Sequence, residues 1–338
     1  MRAPAPCRRL VALGLILSVT ISGCSEVEPD NDPAPTWVKE LAQEQPSFPA
    51  GAQREEAGSH PPVEVDAATT FASIRPDRRS PAERIPEIVK RGYIIVGVDQ
   101  SQNLLSYRDP ATGELSGFEI DLARNIARDI FDDPHAIDFR FIDASDRVSA
   151  LDNGTVDMVI RTMTITPERQ EQVAFSVPYF TSQTRVLAHK GSGTTGVNSL
   201  HGRTVCVADQ STALQHARAY APNADILRVR NWADCLVALQ QDQVDAVVGD
   251  DSILAGIAAQ DPTTEIVGRP IGEESYGVGI AQPDRLHDTT GLIQQVNSTI
   301  ERIIRDGTWR SIYTRTLGPY QTSVSPPEPH YLDEEGER

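Results

Sequence analysis

Cationic residues are scarce in this chain: 31 lysines and arginines face 48 aspartates and glutamates, a net charge of −17 over 338 residues. Such a surface repels phosphate backbones and anionic lipid, which excludes nucleic acid as a partner. Cysteine is scarcer still, with four, and the seven histidines are scattered, none paired with a cysteine or carboxylate at metal-ligand spacing. No resident metal or cofactor is expected. No G-x-S-x-G nucleophile elbow occurs, and GSGTTG from Gly191 lacks the lysine of a phosphate-binding loop. The adjacent acids Asp250 and Asp251 could mimic a catalytic dyad, but neighbouring residues at a strand end point apart. These absences argue against an enzyme.

The apolar run at the amino terminus, Leu10–Ile21, is too short to span a bilayer. With Arg2, Arg8 and Arg9 before it and Ser22-Gly23-Cys24 after it, residues 1–23 read as a secretory signal. Ile21-Ser22-Gly23-Cys24 further resembles the lipobox of bacterial lipoproteins, which implies that Cys24 carries lipid and tethers the protein to the outer face of the cell membrane. Removing three arginines and no acid takes the charge from −17 to −20. Cys7 leaves with the signal, so Cys206 and Cys235 remain. In an oxidising compartment this even pair forms a disulfide, the alternative being two buried free thiols. Residues 24–80 are rich in Pro, Asp, Glu, Ala and Gly and read as a disordered linker, with one marginal helical turn at Trp37–Leu41. The tail 319–338 reads as disordered too.

Between them strand and helix signals alternate, the pattern of an α/β protein with a mostly parallel sheet. Tyr93–Val98 is a continuous apolar run, typical of a buried strand. A hairpin follows around Asp109–Gly113. Leu122, Ile126 and Ile130 mark a helix begun by Asp121, and Phe139–Ile142 alternates as a strand. The phrase ALDNGTVDMVI, Ala150–Ile160, then reads as helix end, turn and strand. The second half restarts with Thr204–Ala208, Ala213–Tyr220 and Ile226–Val229, and ALQQDQVDAVV, Ala238–Val248, repeats the phrase 88 residues on. Even Asp-Gln-Ser follows the first strand of each half, at Asp99 and at Asp209. Two lobes of similar build are expected: residues 81–183 with 274–318, and residues 184–273. The chain crosses between them near Thr181–Thr184 and Glu273–Gly277, the place for a hinge. A strand at Glu274–Ile280, a helix at Leu286–Arg305 and an aromatic piece at Trp309–Tyr313 have no counterpart in the first half and are free to return to it.

The densest polar signal, Arg161 to Arg169, directly follows a buried strand, where ligands of open α/β sheets bind. Thr162 and Thr164 share one side of an extended segment. Thr166-Pro167-Glu168 starts a helix, and Arg169 in its first turn has the planar fork that grips a carboxylate.

FEIDLARNIA, DNGTVDMVIRTMTITPER, VAFSVPYF and VDAVVGDD, spread over Ile85–Leu317, resemble family 3 of the bacterial extracellular solute-binding proteins, the amino-acid receptors of ABC importers. With the lipobox, the likeness is nearest to the glutamate/glutamine-binding lipoproteins of actinobacteria. The resemblance implies the two-lobed periplasmic-binding-protein fold (type II), with ligand in the cleft. It implies that Arg169 grips the ligand α-carboxylate, helped by Thr164, Thr162, Ser211 and Thr212, and that Asp250 binds the α-ammonium. Gln210 stands where the family usually has glycine. Asp99, Gln100 and Asn103 match the segment lining the ligand side chain; no stacking aromatic stands at Gln102 or Asn103, which implies a polar pocket.

Arg161 and Arg147 sit just beyond, and a buried arginine needs an anion. A ligand side-chain carboxylate would supply it, giving glutamate or aspartate. If instead those arginines pair with acids of the chain such as Asp143 or Asp146, the pocket suits glutamine or asparagine. The partners implied are an amino acid and a membrane permease of an ABC importer, with the protein itself a monomer. Alternatives are a sensory module reporting to a membrane receptor protein and a small-carboxylate enzyme of the same fold.

Overall fold

The computed structural model describes residues 47–59, 65, 71–283, 288–321 and 324–335. The signal segment, the lipidation residue Cys24 and the turn at Trp37–Leu41 lie outside the described residues. No helix among the described residues is long and apolar enough to cross a membrane.

The continuous apolar runs become central strands. β2 (Ile94–Val98) is buried along its whole length, as a strand covered on both faces must be. β6 (Ile137–Phe141) and β7 (Met158–Val159) flank it in parallel. β14 (Gly279–Ala281) and β8 (Val173–Phe175) extend the sheet antiparallel, in the order β6-β2-β7-β14-β8. A second sheet repeats the plan, with β10 (Thr204–Ala208) between its parallel neighbours β11 (Asp225–Val229) and β12 (Ala246–Asp250). In each three-strand unit, β6-β2-β7 and β11-β10-β12, the strand earliest in sequence lies between the next two, so the duplicated sequence order is a duplicated topology.

The repeated phrase also has a physical cause. The Asp157 carboxylate accepts the Ile95 N–H at 2.7 Å, while its own N–H donates to the Ile95 carbonyl at 2.9 Å. Asp245 makes the same pair of contacts with Thr204, both at 2.8 Å. One carboxylate closes the start of the neighbouring strand in each half, which is why Val-Asp stands at the same point of both.

Two long strands join the lobes. β9 (Phe180–His189) and β13 (Thr264–Tyr276) pair antiparallel and complete the second sheet, whose order is β1-β11-β10-β12-β9-β13 with β1 at Gln53–Glu55. At the far end of the pair Tyr276 bridges Thr164, and the Gly277 N–H donates to the Met163 carbonyl at 3.0 Å, both in the first lobe. Neither β9 nor the first ten residues of β13 carries a strand signal in the sequence as read above. Gly268-Arg269-Pro270 interrupts the apolar pattern there, and the pairing register shifts between Val267 and Gly272. The expected strand Glu274–Ile280 splits at Gly277, where a Cβ would meet Ile165 and Phe175 at 2.9 Å.

The expected hairpin is built by β4 (Ser106–Arg108) and β5 (Leu115–Ser116), with β3 (Ser101–Gln102) alongside. The first long helix covers Phe118–Phe131, three residues earlier than expected. Gly117 precedes it at φ +123°, its α-carbon so close to the Leu105 carbonyl that any side chain would collide. Helices Thr290–Arg305 and Thr308–Arg315 return to the first lobe. There Trp309, stacked on Tyr313 and Phe180, donates its indole N–H to the Tyr179 carbonyl at 2.8 Å.

Two segments expected to be disordered carry order. β1 adds antiparallel to the edge of β11, and Ser73 and Tyr331 bridge one another against the first lobe. Asn297 fixes Ser73, donating to its hydroxyl at 2.9 Å. Composition averages over a whole segment, whereas adding a short edge strand needs only backbone groups and an anchor; here the anchor is the buried carboxylate of Glu55 between Arg218 and Arg228.

Cys206 in β10 and Cys235 in the helix Trp232–Gln240 form a disulfide across a separation of 29 residues. The Cys206→Ser, Cys235→Ser double variant is expected to lose about 3 kcal/mol of stability by urea unfolding. A variant as stable as the parent would show that the bond constrains nothing.

Candidate functional site

The carboxyl end of β7 runs into a segment held by its own side chains. The Glu119 carboxylate, fully buried, accepts the Thr162 N–H at 2.5 Å and the Tyr179 hydroxyl at 2.5 Å. Thr162 is thereby fixed at φ +41°, a left-handed conformation that threonine rarely adopts. Two residues on, the Thr164 carbonyl accepts from Arg169 at 2.8 Å, and Thr166 caps the short helix Pro167–Gln170 by accepting the Arg169 N–H at 3.1 Å. The second guanidinium nitrogen of Arg169 crosses to the other lobe and donates to the Gln210 carbonyl at 3.1 Å. In that lobe Ser211 caps the helix Thr212–Tyr220, accepting the Leu214 N–H at 3.2 Å. Asp250 ends β12, buried, and accepts from the Tyr276 hydroxyl at 2.5 Å.

One cavity collects these groups. Arg147, Arg161, Thr162, Thr164 and Arg169 line it from the first lobe, and Ser211, Thr212 and Asp250 from the second. Asp251 is directed elsewhere, its carboxylate accepting from Ser182 at 2.6 Å and from the Gln183 N–H at 3.1 Å.

Three sequence expectations need correction. Arg161 pairs with Asp99 at 2.6 Å, both side chains buried, so its charge is already matched within the chain. Its partner is neither Asp143 nor Asp146, because β2 delivers Asp99 next to the end of β7. Asp99 is therefore an ion-pair partner behind the cavity wall and does not line the cavity. Gln100 accepts from Arg108 at 3.1 Å on the hairpin, and Asn103 donates to the Gly256 carbonyl of the opposite lobe at 3.2 Å; neither lines the cavity. The wall is also less polar than expected, since Trp232 and Ile253 contribute to it from the second lobe.

The electrostatics are uneven. Arg147 is 6 % exposed, and its hydrogen bond goes to a backbone carbonyl, that of Ala144, at 2.9 Å. Burial, then the neighbouring charges of Arg169 and Arg161, push its guanidinium well below the ordinary arginine range. Burial also lowers Arg169, against the opposing pull of Glu274 and Asp250. Burial, with the charge of Glu274, raises the Asp250 carboxyl well above the usual aspartate range. For Glu274 burial acts upward but is outweighed by hydrogen bonds from His216, Thr164 and Thr212, which hold the carboxyl below its usual range. A buried cation cluster on one side thus faces, on the other, a carboxylate with no cation bonded to it among the described residues.

Several contributors were missed. Arg230 and Trp232 follow β11 and line the cavity, and the rule that located Arg161–Arg169 at a strand's carboxyl end applied equally to them. Glu274 could not be read from sequence, because its role depends on β13 passing between the lobes. At Gln210, where the resemblance expects glycine, the backbone has φ +54°, so the glycine-like conformation is kept without the glycine.

The sequence matches the profile of bacterial extracellular solute-binding proteins, family 3, over residues 94–319. The ABC transporter glutamine-binding protein GlnH of Bacillus subtilis is 32% identical over 241 residues, covering 71% of this chain and 86% of its own. The glutamate-binding protein GluB of Corynebacterium efficiens is 28% identical over 263 residues, 73% of this chain and 87% of its own. Among solved structures, an ancestral arginine-binding protein bound to glutamine superposes with a TM-score of 0.61 at 31% identity, covering 68% of this chain and 99% of that one. The two-lobed α/β architecture with its hinge is the type II periplasmic-binding fold. The chain belongs to the bacterial extracellular solute-binding proteins, family 3.

Proposed function

We propose that this chain is a lipid-anchored receptor for an acidic amino acid, glutamate or aspartate, which it delivers to the permease of an ABC importer. Relatives that bind glutamine and glutamate by name support the amino-acid class. The observation that carries the choice of side chain is Arg147. Arg161 is neutralised by Asp99, whereas the cavity-lining Arg147 is buried beside two other arginines with no carboxylate bonded to it among the described residues. A second ligand carboxylate supplies the missing anion; a glutamine amide does not. The α-carboxylate is assigned to Arg169, with Ser211 and Thr212 at the helix end, and the α-ammonium to Asp250. Anchoring through Cys24 keeps the receptor beside its permease, and no catalytic step is assigned to it.

Closure follows from where the groups sit. The ligand bonds to both lobes only when they approach, so it has more interactions in the closed form and shifts the population toward it. The contact of Arg169 with the Gln210 carbonyl at 3.1 Å spans the two lobes beside the proposed carboxylate site.

Three outcomes are expected. Calorimetry with a panel of amino acids should give the tightest binding for glutamate or aspartate; no heat with any amino acid would end the receptor reading. Arg147→Ala should weaken glutamate binding on the order of 30-fold or more while changing glutamine binding little, because it strips the partner from a buried charge. Arg161→Ala should act differently, destabilising the protein by about 3 kcal/mol or more, since it leaves Asp99 buried and unpaired. Equal losses for glutamate and glutamine in Arg147→Ala would move the ligand side chain elsewhere.

Acid should weaken binding. Because the Asp250 carboxyl is raised, it is protonated as pH falls through its titration, and a neutral acid does not hold an ammonium. Glutamate affinity should therefore fall on acidification, with proton release on binding in that window. Calorimetry in buffers of different ionisation heat measures it; pH-independent affinity down to the ordinary aspartate range would remove Asp250 from the ammonium site.

A further inference from the structure

The edge strand β1 is not needed by either half of the duplicated topology, yet its one buried side chain leads to the cleft. Glu55 is 7 % exposed, and its carboxylate accepts from Arg218 at 2.6 Å and from Arg228 at 2.7 Å. Arg228 extends its other nitrogens to Asp209, donating at 2.6 and 3.1 Å. The same Asp209 oxygen accepts the N–H of Gln210 at 3.0 Å. Gln210 is the residue at φ +54°, and its carbonyl receives Arg169 from the opposite lobe. Next come Ser211 and Thr212. The rim of the cleft beside this loop is lined by Gly51 and Gln53 of the same segment, facing Ala144 and Ser145 of the first lobe.

A strained left-handed glutamine holds its place only where its surroundings fix it. Here the fixing groups on the second lobe are Asp209 and, behind it, an arginine shared with Glu55. We infer that Glu55 is a positioning residue for amino-acid binding: acting through Arg228 and Asp209, it holds the 209–212 loop in the conformation that receives Arg169 and the ligand. Removing the Glu55 carboxylate takes away the group that fixes Arg228 from behind, so Arg228 and Asp209 shift together and the loop loses its fixed conformation. Coupling of this kind is reciprocal, so a bound ligand also tightens β1 on β11. The stretch leaving β1 docks next on the first lobe, where the Ser73 hydroxyl donates to the Phe175 carbonyl at 2.7 Å. The segment before the duplicated domains thus touches both lobes and is sensitive to whether the cleft is occupied.

The inference rests on the amino-acid-receptor reading, and the test separates the two. Kd values are measured by calorimetry for the wild-type chain, Glu55→Ala, Arg228→Ala, the double variant and Arg218→Ala, using whichever of glutamate, aspartate, glutamine and asparagine the wild type binds tightest. Glu55→Ala and Arg228→Ala should each weaken binding roughly tenfold, and the double variant no more than Arg228→Ala alone. Arg218→Ala removes a Glu55 partner without touching Arg228, so it should lower the melting temperature and keep Kd within about twofold. Hydrogen exchange of the amides of residues 53–57 should slow when ligand is added to the wild type. Wild-type affinity in Glu55→Ala, full additivity in the double variant, or an Arg218→Ala defect as large as that of Glu55→Ala each overturns the inference while the receptor reading stands. Failure of the wild type to bind any of the four sinks both.

Discussion

The arrangement depends on one pairing left open: among the described residues the buried guanidinium of Arg147 bonds a backbone carbonyl and no carboxylate. Taking a charge out of water costs several kcal/mol unless another charge replaces the lost solvent. Arg161 has that replacement in Asp99, and Arg169 leans on two backbone carbonyls, one from each lobe. Arg147 has a backbone carbonyl, and the two like-charged neighbours Arg169 and Arg161 outweigh the opposing pull of Tyr179 and Glu119. Asp250 shows the opposite deficit, a buried carboxylate pressed by Glu274 with no cation bonded to it among the described residues. On the proposed reading, a molecule carrying two carboxylates and one ammonium would relieve both deficits at once and so favour the closed, loaded form.

The scaffold accounts for how such groups come to face one another. Two copies of one topology, each closed by an aspartate on its neighbour strand, place two sets of strand ends toward a common space. β9 and β13 connect them as paired long strands, and Gly272, just past the register shift, leaves room for the His216 ring, which fills the space a Cβ there would take. Glu274 stands on this connection. It accepts from Thr184 at 3.2 Å, Thr212 at 2.9 Å and His216 at 2.9 Å, so the connecting strand and the ligand loop of the second lobe are fastened through one carboxylate.

Much of this was legible in the sequence, for identifiable reasons. The duplicated phrase marked the two lobes because Asp157 and Asp245 do the same work in each. The run Arg161–Arg169 drew attention because it follows a buried strand, and Arg161, Thr162, Thr164 and Arg169 line one cavity; Cys206 pairs with Cys235. What failed were partnerships set by strand order. Asp99 and Arg161 are 62 positions apart and meet because β2 and β7 are neighbours, so the arginine first credited with the ligand side chain proved to be occupied. Composition also hid β1, since one buried glutamate between two arginines is invisible in a segment rich in charge and proline.

The most direct test is a crystal structure of the chain with glutamate bound. The account requires the lobes closed on one molecule, with its α-carboxylate on Arg169, its ammonium on Asp250, and its side-chain carboxylate within hydrogen-bond distance of Arg147. A glutamate whose side chain points away from Arg147, or one seated outside the space between Arg169 and Asp250, would contradict it.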